Sequence, residues 1–468
     1  MTATPKTATA KFTTGSTMRH VVVMTMTGAV GLTFMFLIDA ATLFWVSRLG
    51  DPRLMAALGF AWTIQFFIIS SGIGFAIATT ALVSRALGEG GRAQARRYAS
   101  GAMTLTFLLQ AAVAIAALIW RREALALAGA QGETLAVAAR FLAITLPTMP
   151  LMALGMTGGG VLRALGDAWR AMTVTLAAGL LAAVLDPLFI FGFGMGLDGA
   201  AWVMALARCS VSVLSIWFLV RAHDMLGRVT PGDLRRMARP FFAIAAPATL
   251  TQMSTPFGNA LLTALMASHG DGAMAGLAVV SRLTVLAFGG VYALSGAIGG
   301  IFGQNYGAGL MPRVRSTYRD ALVFNFVYTL AAWGLLWFGR DAIGTVFRLD
   351  AEGLAVVHAF AAVGAGGFVF GGALFVANAA FNTLGRPLWS TGFNWLRDGV
   401  VLFPAAIALS WSFGAPGVVY GQAVASVLVG MGAALAGRRF VSRLKPRRTA
   451  PGLESAPARL HPAPTPAE

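Results

Sequence analysis

Long apolar runs, separated by short polar turns, set the pattern of the whole chain. A helix needs roughly 20 apolar residues to bridge the hydrocarbon core of a membrane. Twelve runs reach that length, and they predict helices over residues 20–47, 54–84, 98–120, 135–163, 170–194, 198–221, 239–267, 274–305, 317–338, 354–384, 389–412 and 416–440. Strands of a membrane barrel alternate apolar and polar residues, and these runs do not. The pattern predicts an all-α polytopic membrane protein with twelve transmembrane helices.

One long polar segment inside the chain, AHDMLGRVTPGDLRRMARP, separates the first six runs from the last six. We therefore predict a cytoplasmic N-terminal tail (1–18), an N-lobe (19–224), a cytoplasmic linker (225–238), a C-lobe (239–446) and a C-terminal tail (447–468). The last tail is rich in Pro and Ala, so it is predicted to be disordered.

The two halves resemble each other at four places in the same order, at an offset of roughly 220 residues. The matched positions are Gly50-Asp51 with Gly270-Asp271, Gly88 with Gly307, Gly166 with Gly385, and Gly196 and Gly199 with Gly414 and Gly417. A repeat of six helices preserves the chain direction. We therefore predict two six-helix bundles related by a pseudo-twofold axis along the membrane normal, with a substrate path between them.

Composition and charge agree with a membrane protein. The chain is 57% hydrophobic and 11% charged, whereas soluble domains carry about 25% charged residues. With the amino terminus inside, most Lys and Arg residues, Arg163 among them, fall in cytoplasmic segments. Both termini are then cytoplasmic in an inner membrane. This bias accounts for the net charge of +17, so no nucleic-acid partner is expected.

Two acidic residues lie inside apolar runs: Asp39 in GLTFMFLIDAATLFWVSRLG and Asp186 in LLAAVLDPLFIFGFGMG. Burial disfavours the charged form of a carboxyl group, so such a group can exchange a proton near neutral pH or bind a small cation. The alternative is a structural acid that caps a helix or pairs with an arginine. Asp186 could simply satisfy backbone groups freed by Pro187. For Asp398, beside Arg397, a structural pair is predicted.

Neutral polar residues in the predicted spans of the second half are candidates for substrate contact: Gln252, Asn259, Asn378 and Asn382. Hydrogen bonds between helices are the commoner use of such residues. Arg208 and Arg282 also fall within spans, and Arg208 needs an acidic, carbonyl or aqueous partner.

Signatures of soluble enzymes are absent from the sequence. No lysine follows a glycine, which excludes a Walker A loop, and neither H-E-x-x-H nor G-x-S-x-G occurs. A G-x-G-x-x-G at Gly194, Gly196 and Gly199 lies in a turn between two membrane helices, without a preceding strand. The five histidines are scattered, with no metal-ligand spacing. We expect no cofactor, no metal site and no enzymatic activity.

The segments LIDAATLFWVSRLGD, SRALGEG, GGGVLRALGD, LDPLFIFGFGMGLDGAAW, GQNYGAG and FNTLGRP together resemble the multidrug and toxic compound extrusion (MATE) family over about residues 20–440. The resemblance implies two bundles around a cavity that opens to either side. It also implies export of cationic or amphipathic compounds against inward H⁺ or Na⁺ flow. Asp39 matches the acid of the first helix in that family. Asp186 matches the fifth-helix acid of the DinF-like branch.

The chain departs from that branch at two places. Ala182 stands where an asparagine is usual, and Gly158, Gly159 and Gly160 occupy a stretch that often holds another. A sodium cage would lack two oxygen ligands, so H⁺ is favoured over Na⁺ as the coupling ion. The first helix also lacks the proline that the family often has near its start, so a proline-hinged bend is not expected.

We therefore predict a monomeric secondary active exporter in the lipid bilayer, with Asp39 as the principal coupling acid and Asp186 as its partner. Its substrate would be a small amphipathic or cationic molecule. One alternative is a flippase for a lipid-linked sugar, for which Arg208, Arg282 and Arg397 could bind a pyrophosphate. Another is a membrane enzyme with Asp39 and Asp186 as a dyad within hydrogen-bond reach.

Overall fold

The computed structural model of the chain describes residues 10–446, and within this range it contains helices and no strand. The long helices are α1 (Thr17–Ser47), α2 (Pro52–Gly88), α3 (Arg92–Ile119), α4 (Gly132–Ala164), α5 (Ala168–Gly192), α6 (Gly196–Arg221), α7 (Pro231–Ala267), α8 (Asp271–Gly307), α9 (Met311–Phe347), α10 (Ala351–Leu384), α11 (Pro387–Phe413) and α12 (Ala415–Arg443). Two short helices are Lys11–Thr13 and Arg121–Leu127. The predicted all-α polytopic fold is confirmed.

Eleven of the long helices in the described range are apolar and long enough to cross a membrane. The remaining one, α7, is 37 residues long and more polar, with prolines at positions 240, 247 and 256. It packs against α2 and α11, in the place of the predicted seventh span.

The start of α7 falls inside the predicted linker. Residues 231–238, assigned to the linker from their polarity, form the first two turns of α7. Thr230 and Asp233 form a capping box there, and Pro231 occupies the first helical position, where its missing N–H is no loss. Polarity identified an exposed segment, but it did not distinguish a loop from the exposed end of a long helix.

The described part of the N-terminal tail is also ordered. Phe12 is 1% exposed, and its backbone N–H donates to Oε1 of Gln304 at 2.8 Å. Lys11 donates to the carbonyl of Gly166 at 2.9 Å. This segment therefore joins the first half of the chain to the second. Residues 1–9 and the predicted disordered tail 447–468 lie outside the described residues.

The structure supports the internal repeat through the glycines that carry it. Matched pairs adopt the same positive φ, which favours glycine at both positions. The values are +74° and +96° at Gly50 and Gly270, +79° and +103° at Gly166 and Gly385, and +57° and +63° at Gly196 and Gly414. The two halves therefore make equivalent turns at equivalent positions.

The equivalent helices α2 and α8 cross closely, and their contacts are reciprocal. A Cβ added at Gly88 would lie 2.1 Å from the carbonyl oxygen of Gln304, and one at Gly307 would lie 2.1 Å from that of Arg85. Arg85 and Gln304 are themselves matched by the repeat offset. Reciprocal contacts of this kind occur where a twofold axis relates the two surfaces. The pseudo-twofold axis of the repeat therefore passes through this crossing.

The same crossing continues along both helices at intervals of four residues. Ser84 contacts Gly303 and Thr80 contacts Gly299, so each residue touches its own equivalent in the other half. Small residues at this spacing let two membrane helices approach backbone to backbone. We call these contacts, from Thr80 to Gly88 on α2 and from Gly299 to Gly307 on α8, the glycine seam.

Within residues 10–446, the contacts that join the two lobes are concentrated towards one end of the molecule. The face where α1 begins and α12 ends is called the terminal face, and the opposite one the distal face. Near the terminal face, apolar clusters join both lobes, such as Phe75 with Phe241 and Met24 with Ile298. In the distal half, each lobe has its own cluster, one around Phe141 and one around Phe360. The lobes therefore diverge and leave a cleft open to the distal face.

We expect Gly88→Ala to separate the lobes at the terminal face, because the added methyl group would meet the backbone of α8. Overpacking of this kind costs about 1–3 kcal/mol, which would shift a conformational equilibrium by about fivefold or more. The measurement is the labelling rate of Thr80→Cys by a membrane-impermeant maleimide, in a Cys209→Ser background. The matched control is Gly334→Ala, where an added Cβ has no neighbour within 4 Å. Equal rates in the two glycine variants would contradict this role of the seam.

Candidate functional site

Asp39 lies in the distal half of α1, the helix that links the two lobes. Towards the terminal face α1 packs on α8, where Gly28 contacts Ala293; further on it packs on α5, where Gly179 contacts Phe34. The helix is continuous, without a break at its start. Asp39 is partly exposed and makes no hydrogen bond or ion pair within residues 10–446. Asp39 is therefore a carboxylate on the side of the N-lobe that faces the cleft, and it has no direct partner among the described residues.

Charged groups nevertheless surround Asp39 at longer range. Arg208 on α6, Arg282 on α8 and Asp186 on α5 all act on it electrostatically. Arg282 is exposed and comes from the other lobe. Asp39 therefore lies within electrostatic range of basic residues of both lobes that it does not contact.

Asp186 is 1% exposed and accepts a hydrogen bond from the hydroxyl of Thr42. Thr42 lies three residues after Asp39, so both are on the same face of α1. Just beyond Asp186, α5 widens into a π-helical segment at Leu188–Gly192. The bond of Asp186 is thus to Thr42 and not to Asp39, and the hydrogen-bonded dyad expected of a membrane enzyme is not formed.

Arg208 is held by neutral acceptors inside the N-lobe. It donates to the carbonyl of Thr145 at 2.8 Å, to Oγ1 of Thr148 at 3.2 Å and to Oε1 of Gln65 at 2.5 Å. Thr145 directly precedes, and Thr148 ends, a 3-10 segment that interrupts α4 at Leu146–Thr148, where the ordinary helical bonding is broken. A carbonyl was one of the three partners predicted for Arg208, and this prediction is confirmed.

The polar candidates of the C-lobe lie on two helices. Gln252 is partly exposed and Asn259 exposed, both on α7. On α10, Asn378 is buried and accepts a bond from Asn394 of α11 at 3.0 Å, which is an interhelical use. Asn382 is 3% exposed, and its side-chain oxygen has no hydrogen-bond partner within residues 10–446. Their contact with a substrate stays a prediction.

Arg397 and Asp398 form a buried ion pair with a shortest distance of 2.7 Å, as predicted. Asp398 also accepts a hydrogen bond from Ser254 at 3.0 Å, which joins α11 to α7. Both charged residues lie in a π-helical segment, Leu396–Val401, in the helix equivalent to α5. The pair holds the C-lobe together, so Arg397 is not free to bind a pyrophosphate.

Sequence reasoning missed Arg163, which was counted among the cytoplasmic arginines. Its side chain points back along α4 into the protein: a Cβ at Gly159 would lie 3.4 Å from its Nη1, and one at Gly296 would lie 4.0 Å from its Nε. The Nε is buried and has no hydrogen-bond partner within residues 10–446. The only signal in the sequence was the run of glycines one turn earlier, and it does not reveal the direction of the side chain.

Other residues of the segment VLRALGD shape the turn between α4 and α5. Asp167 caps α5 by accepting from the N–H of Arg170 at 3.1 Å, and its carboxylate contacts His223 at 2.8 Å. Partial burial acts to raise the pKa of Asp167, but the hydrogen bonds from His223 and Arg170 outweigh it. The pKa of Asp167 is therefore lowered, and the group is ionised at neutral pH.

The glycines that replace possible oxygen ligands serve in packing. A Cβ at Gly158 would lie 2.7 Å from Oγ of Ser215, and one at Gly160 would lie 2.8 Å from Oγ1 of Thr80. These positions bring α6 and α2 close to α4. They supply no side-chain oxygen near Asp186, and neither does Ala182.

Comparison with known families explains this arrangement. The MatE family model matches residues 29–188 and residues 247–408, one stretch in each half of the chain. The chain belongs to the MATE family of transporters. The predicted family and the prediction that the chain is not an enzyme are confirmed, and the chain is a multi-pass membrane transporter. The finer assignment to the DinF-like branch stays a prediction.

Two curated MATE relatives span nearly the whole chain. The FAD transporter of Shewanella oneidensis is 28% identical over 436 residues, which cover 90% of this chain and 94% of that protein. The multidrug export protein MepA of Staphylococcus aureus is 22% identical over 399 residues, 84% and 87% of the two chains. Among solved structures, the outward-facing conformation of a multidrug resistance MATE family transporter superposes with a TM-score of 0.87. It is 22% identical to this chain and covers 94% of it and 99% of its own length.

We expect Arg208→Met to destabilise the N-lobe, because Gln65 and the α4 break would lose their buried donor. Leaving such groups unsatisfied costs about 1–3 kcal/mol. The measurement is the unfolding temperature of the purified protein in detergent. Arg221→Met is the matched control, since Arg221 is an exposed residue of the same helix. An unfolding temperature of Arg208→Met no lower than that of Arg221→Met would show that the hydrogen bonds are dispensable.

Proposed function

We propose that this MATE transporter is an H⁺-coupled antiporter that exports small amphipathic organic cations by alternating access between its lobes. The observation that supports it best is Asp39, a carboxylate without a direct partner, on the helix that packs on both lobes. A group whose charge changes there can affect the substrate in the cleft and the packing of α1 on α5 and α8. Asp186 and Thr42 would couple that change to α5.

The sign of the coupling follows from charge. Ionised Asp39 attracts a cation into the cleft, and protonation removes this attraction while Arg208 and Arg282 stay positive. A proton that arrives from the distal face then weakens cation binding, and the cation leaves towards that face. The return step carries the proton to the terminal face, where it is released as the next cation binds.

The proposed orientation puts the terminal face in the cytoplasm of a cell with an inner membrane. Most arginines of the turns lie on this face, as the positive-inside rule requires of cytoplasmic segments. The cleft described above would then open to the outside, in the state that releases substrate. The working unit is proposed to be a monomer, because the cleft is formed by one chain.

H⁺ is proposed as the coupling ion instead of Na⁺. Sodium prefers a shell of several oxygen ligands, and the positions that could add oxygens near Asp186 hold Ala182 and closely packed glycines. A proton needs only the carboxyl group itself.

We expect Asp39→Asn to lower export driven by a pH gradient by about tenfold or more, because the amide is fixed in the neutral form. The measurement is the uptake of a cationic dye into inside-out proteoliposomes at matched protein content. Asp271→Asn, which changes an exposed acid at the start of α8, is the matched control and should transport normally. Undiminished export by Asp39→Asn would refute the role of this acid.

The coupling ion is tested in the same proteoliposomes. With an imposed H⁺ gradient and no Na⁺, we expect dye uptake that stops when the pH gradient is collapsed. Transport that survives this collapse but requires a Na⁺ gradient would replace H⁺ by Na⁺ in the scheme.

A second candidate substrate is FAD or a related anionic flavin. It is favoured by the unpaired Arg163 and by the relative that bears the name FAD transporter. The pH dependence of binding separates the two candidates. Protonation of Asp39 makes the cleft more positive, so acidification should weaken the binding of a cationic dye and should not weaken that of FAD. In Asp39→Asn both affinities should lose this pH dependence.

A further inference from the structure

Arg163 has no counter-charge in the described protein. Its side chain makes no hydrogen bond or ion pair within residues 10–446, and its Nε is buried, although the residue as a whole is partly exposed. The other basic residues near the cleft differ from it. Arg208 is fully bonded to neutral groups, Arg397 is paired with Asp398, and Arg282 is exposed to solvent.

A guanidinium group whose Nε is buried without an acceptor is energetically unfavourable. Buried charge is tolerated in proteins when it is paired and hydrogen-bonded, and an isolated one loses hydration without compensation. Unlike a lysine, an arginine does not relieve this by giving up its proton. Arg163 is nevertheless partly exposed, and its terminal nitrogens are not among the fully buried atoms, so an acceptor of hydrogen bonds that carries negative charge can reach this group.

The position of Arg163 shows where that partner comes from. The backbone of Arg163 packs on Gly300 of the glycine seam, and its side chain extends towards Gly296, one turn nearer the distal face. Next to Gly296, Ser295 and Tyr292 of α8 are partly exposed although the helix lies deep in the molecule. The guanidinium group is thus at the floor of the cleft, directly above the seam that closes the terminal face.

Arg163 is well separated from the coupling acid. Its neighbour Gly296 is close to Ala293, which contacts Gly28 of α1. Asp39 follows Gly28 by eleven residues, which corresponds to about 16 Å along a helix. Two ligand groups could therefore be held at once, one at the floor and one near Asp39.

The second half does not duplicate this charge. The repeat that matches VLRALGD with FNTLGRP places Asn382 at the position equivalent to Arg163. Asn382 also has an unpartnered side-chain oxygen, but it is neutral. The floor is therefore positive on the N-lobe side only, which would orient an asymmetric ligand.

Resting on the proposed transport through this cleft, we propose that Arg163 binds an anionic group, a phosphate or a carboxylate, of the transported molecule. The planar fork of a guanidinium group matches two oxygens of either group. Because Arg163 borders the seam, a movement of α8 away from α4 would expose the same side chain to the terminal face. One residue would then meet the substrate in both states of the cycle.

The test uses FAD, uncharged riboflavin and inorganic pyrophosphate as probes of the full chain in phosphatidylcholine nanodiscs. Flavin binding is followed by fluorescence anisotropy, and pyrophosphate by competition. We expect the protein to bind FAD about tenfold or more tightly than riboflavin. Arg163→Gln should reduce the preference to about twofold or less, and Arg163→Lys should retain part of it. Arg235→Gln, an exposed arginine of α7, is the matched control and should keep the full preference.

A second measurement uses the protein without any substitution, so its result does not depend on whether a variant folds. Phenylglyoxal modification of Arg163, followed by peptide mass spectrometry, should be slowed by FAD and pyrophosphate and not by riboflavin. The proposal is overturned by equal affinity for FAD and riboflavin, by an unchanged preference in Arg163→Gln, or by the absence of protection. A lipid phosphate as the true partner would also overturn it. In that case, phosphatidylglycerol in the nanodiscs would weaken FAD binding to the unmodified protein and not to Arg163→Gln.

Failure of this inference is distinguishable from failure of the proposed function. A protein that exports a cationic dye in an Asp39-dependent manner but shows no anion preference keeps its transport scheme and loses the anion site. A protein that shows the anion preference but no H⁺-driven transport keeps the site and loses the coupling scheme.

Discussion

The close crossing of α2 and α8 is the contact on which the architecture depends. Thr80 and Ser84 on one helix meet their own repeat equivalents, Gly299 and Gly303, on the other. Gly88 and Gly307 make reciprocal contacts with Gln304 and Arg85. Between membrane helices, where lipid removes most of the hydrophobic driving force, close backbone packing of small residues provides much of the association. A seam of this kind can hold the lobes together at one face while leaving their distal halves separate. That separation creates the cleft.

Next to this crossing, α1 contacts both lobes, so a change in α1 can affect both of them. Its terminal half packs on α8 of the C-lobe and its distal half on α5 of the N-lobe. Asp39 and Thr42 share one face of it, and Thr42 bonds Asp186. A change of charge on α1 therefore acts where the helix passes from one lobe to the other. In the described part of the C-lobe, the buried acids Asp398 and Asp320 are already paired, with Arg397 and Arg319.

Much of this could be predicted from the chain alone. Apolar run length determines which segments cross a membrane, because each must satisfy its backbone bonds internally. Glycines in the same order at a constant offset revealed the repeat, because residues other than glycine rarely adopt a positive φ. The pairing of Arg397 with Asp398 was predictable because the two are neighbours in sequence. Polarity alone did not show that residues 231–238 form the first turns of α7 or that Phe12 is buried.

The sequence by itself determined the class of protein, the twofold plan, the family and the acids worth considering, since these depend on local patterns and short motifs. Only the tertiary structure decided which polar groups have partners. Arg208 donates hydrogen bonds at the break in α4, and Asn378 accepts one from Asn394. The Nε of Arg163 has no hydrogen-bond partner within the described chain. The direction of a long side chain depends on the helices packed around it. A charge at the end of a predicted span can therefore face water or the interior with the same local sequence.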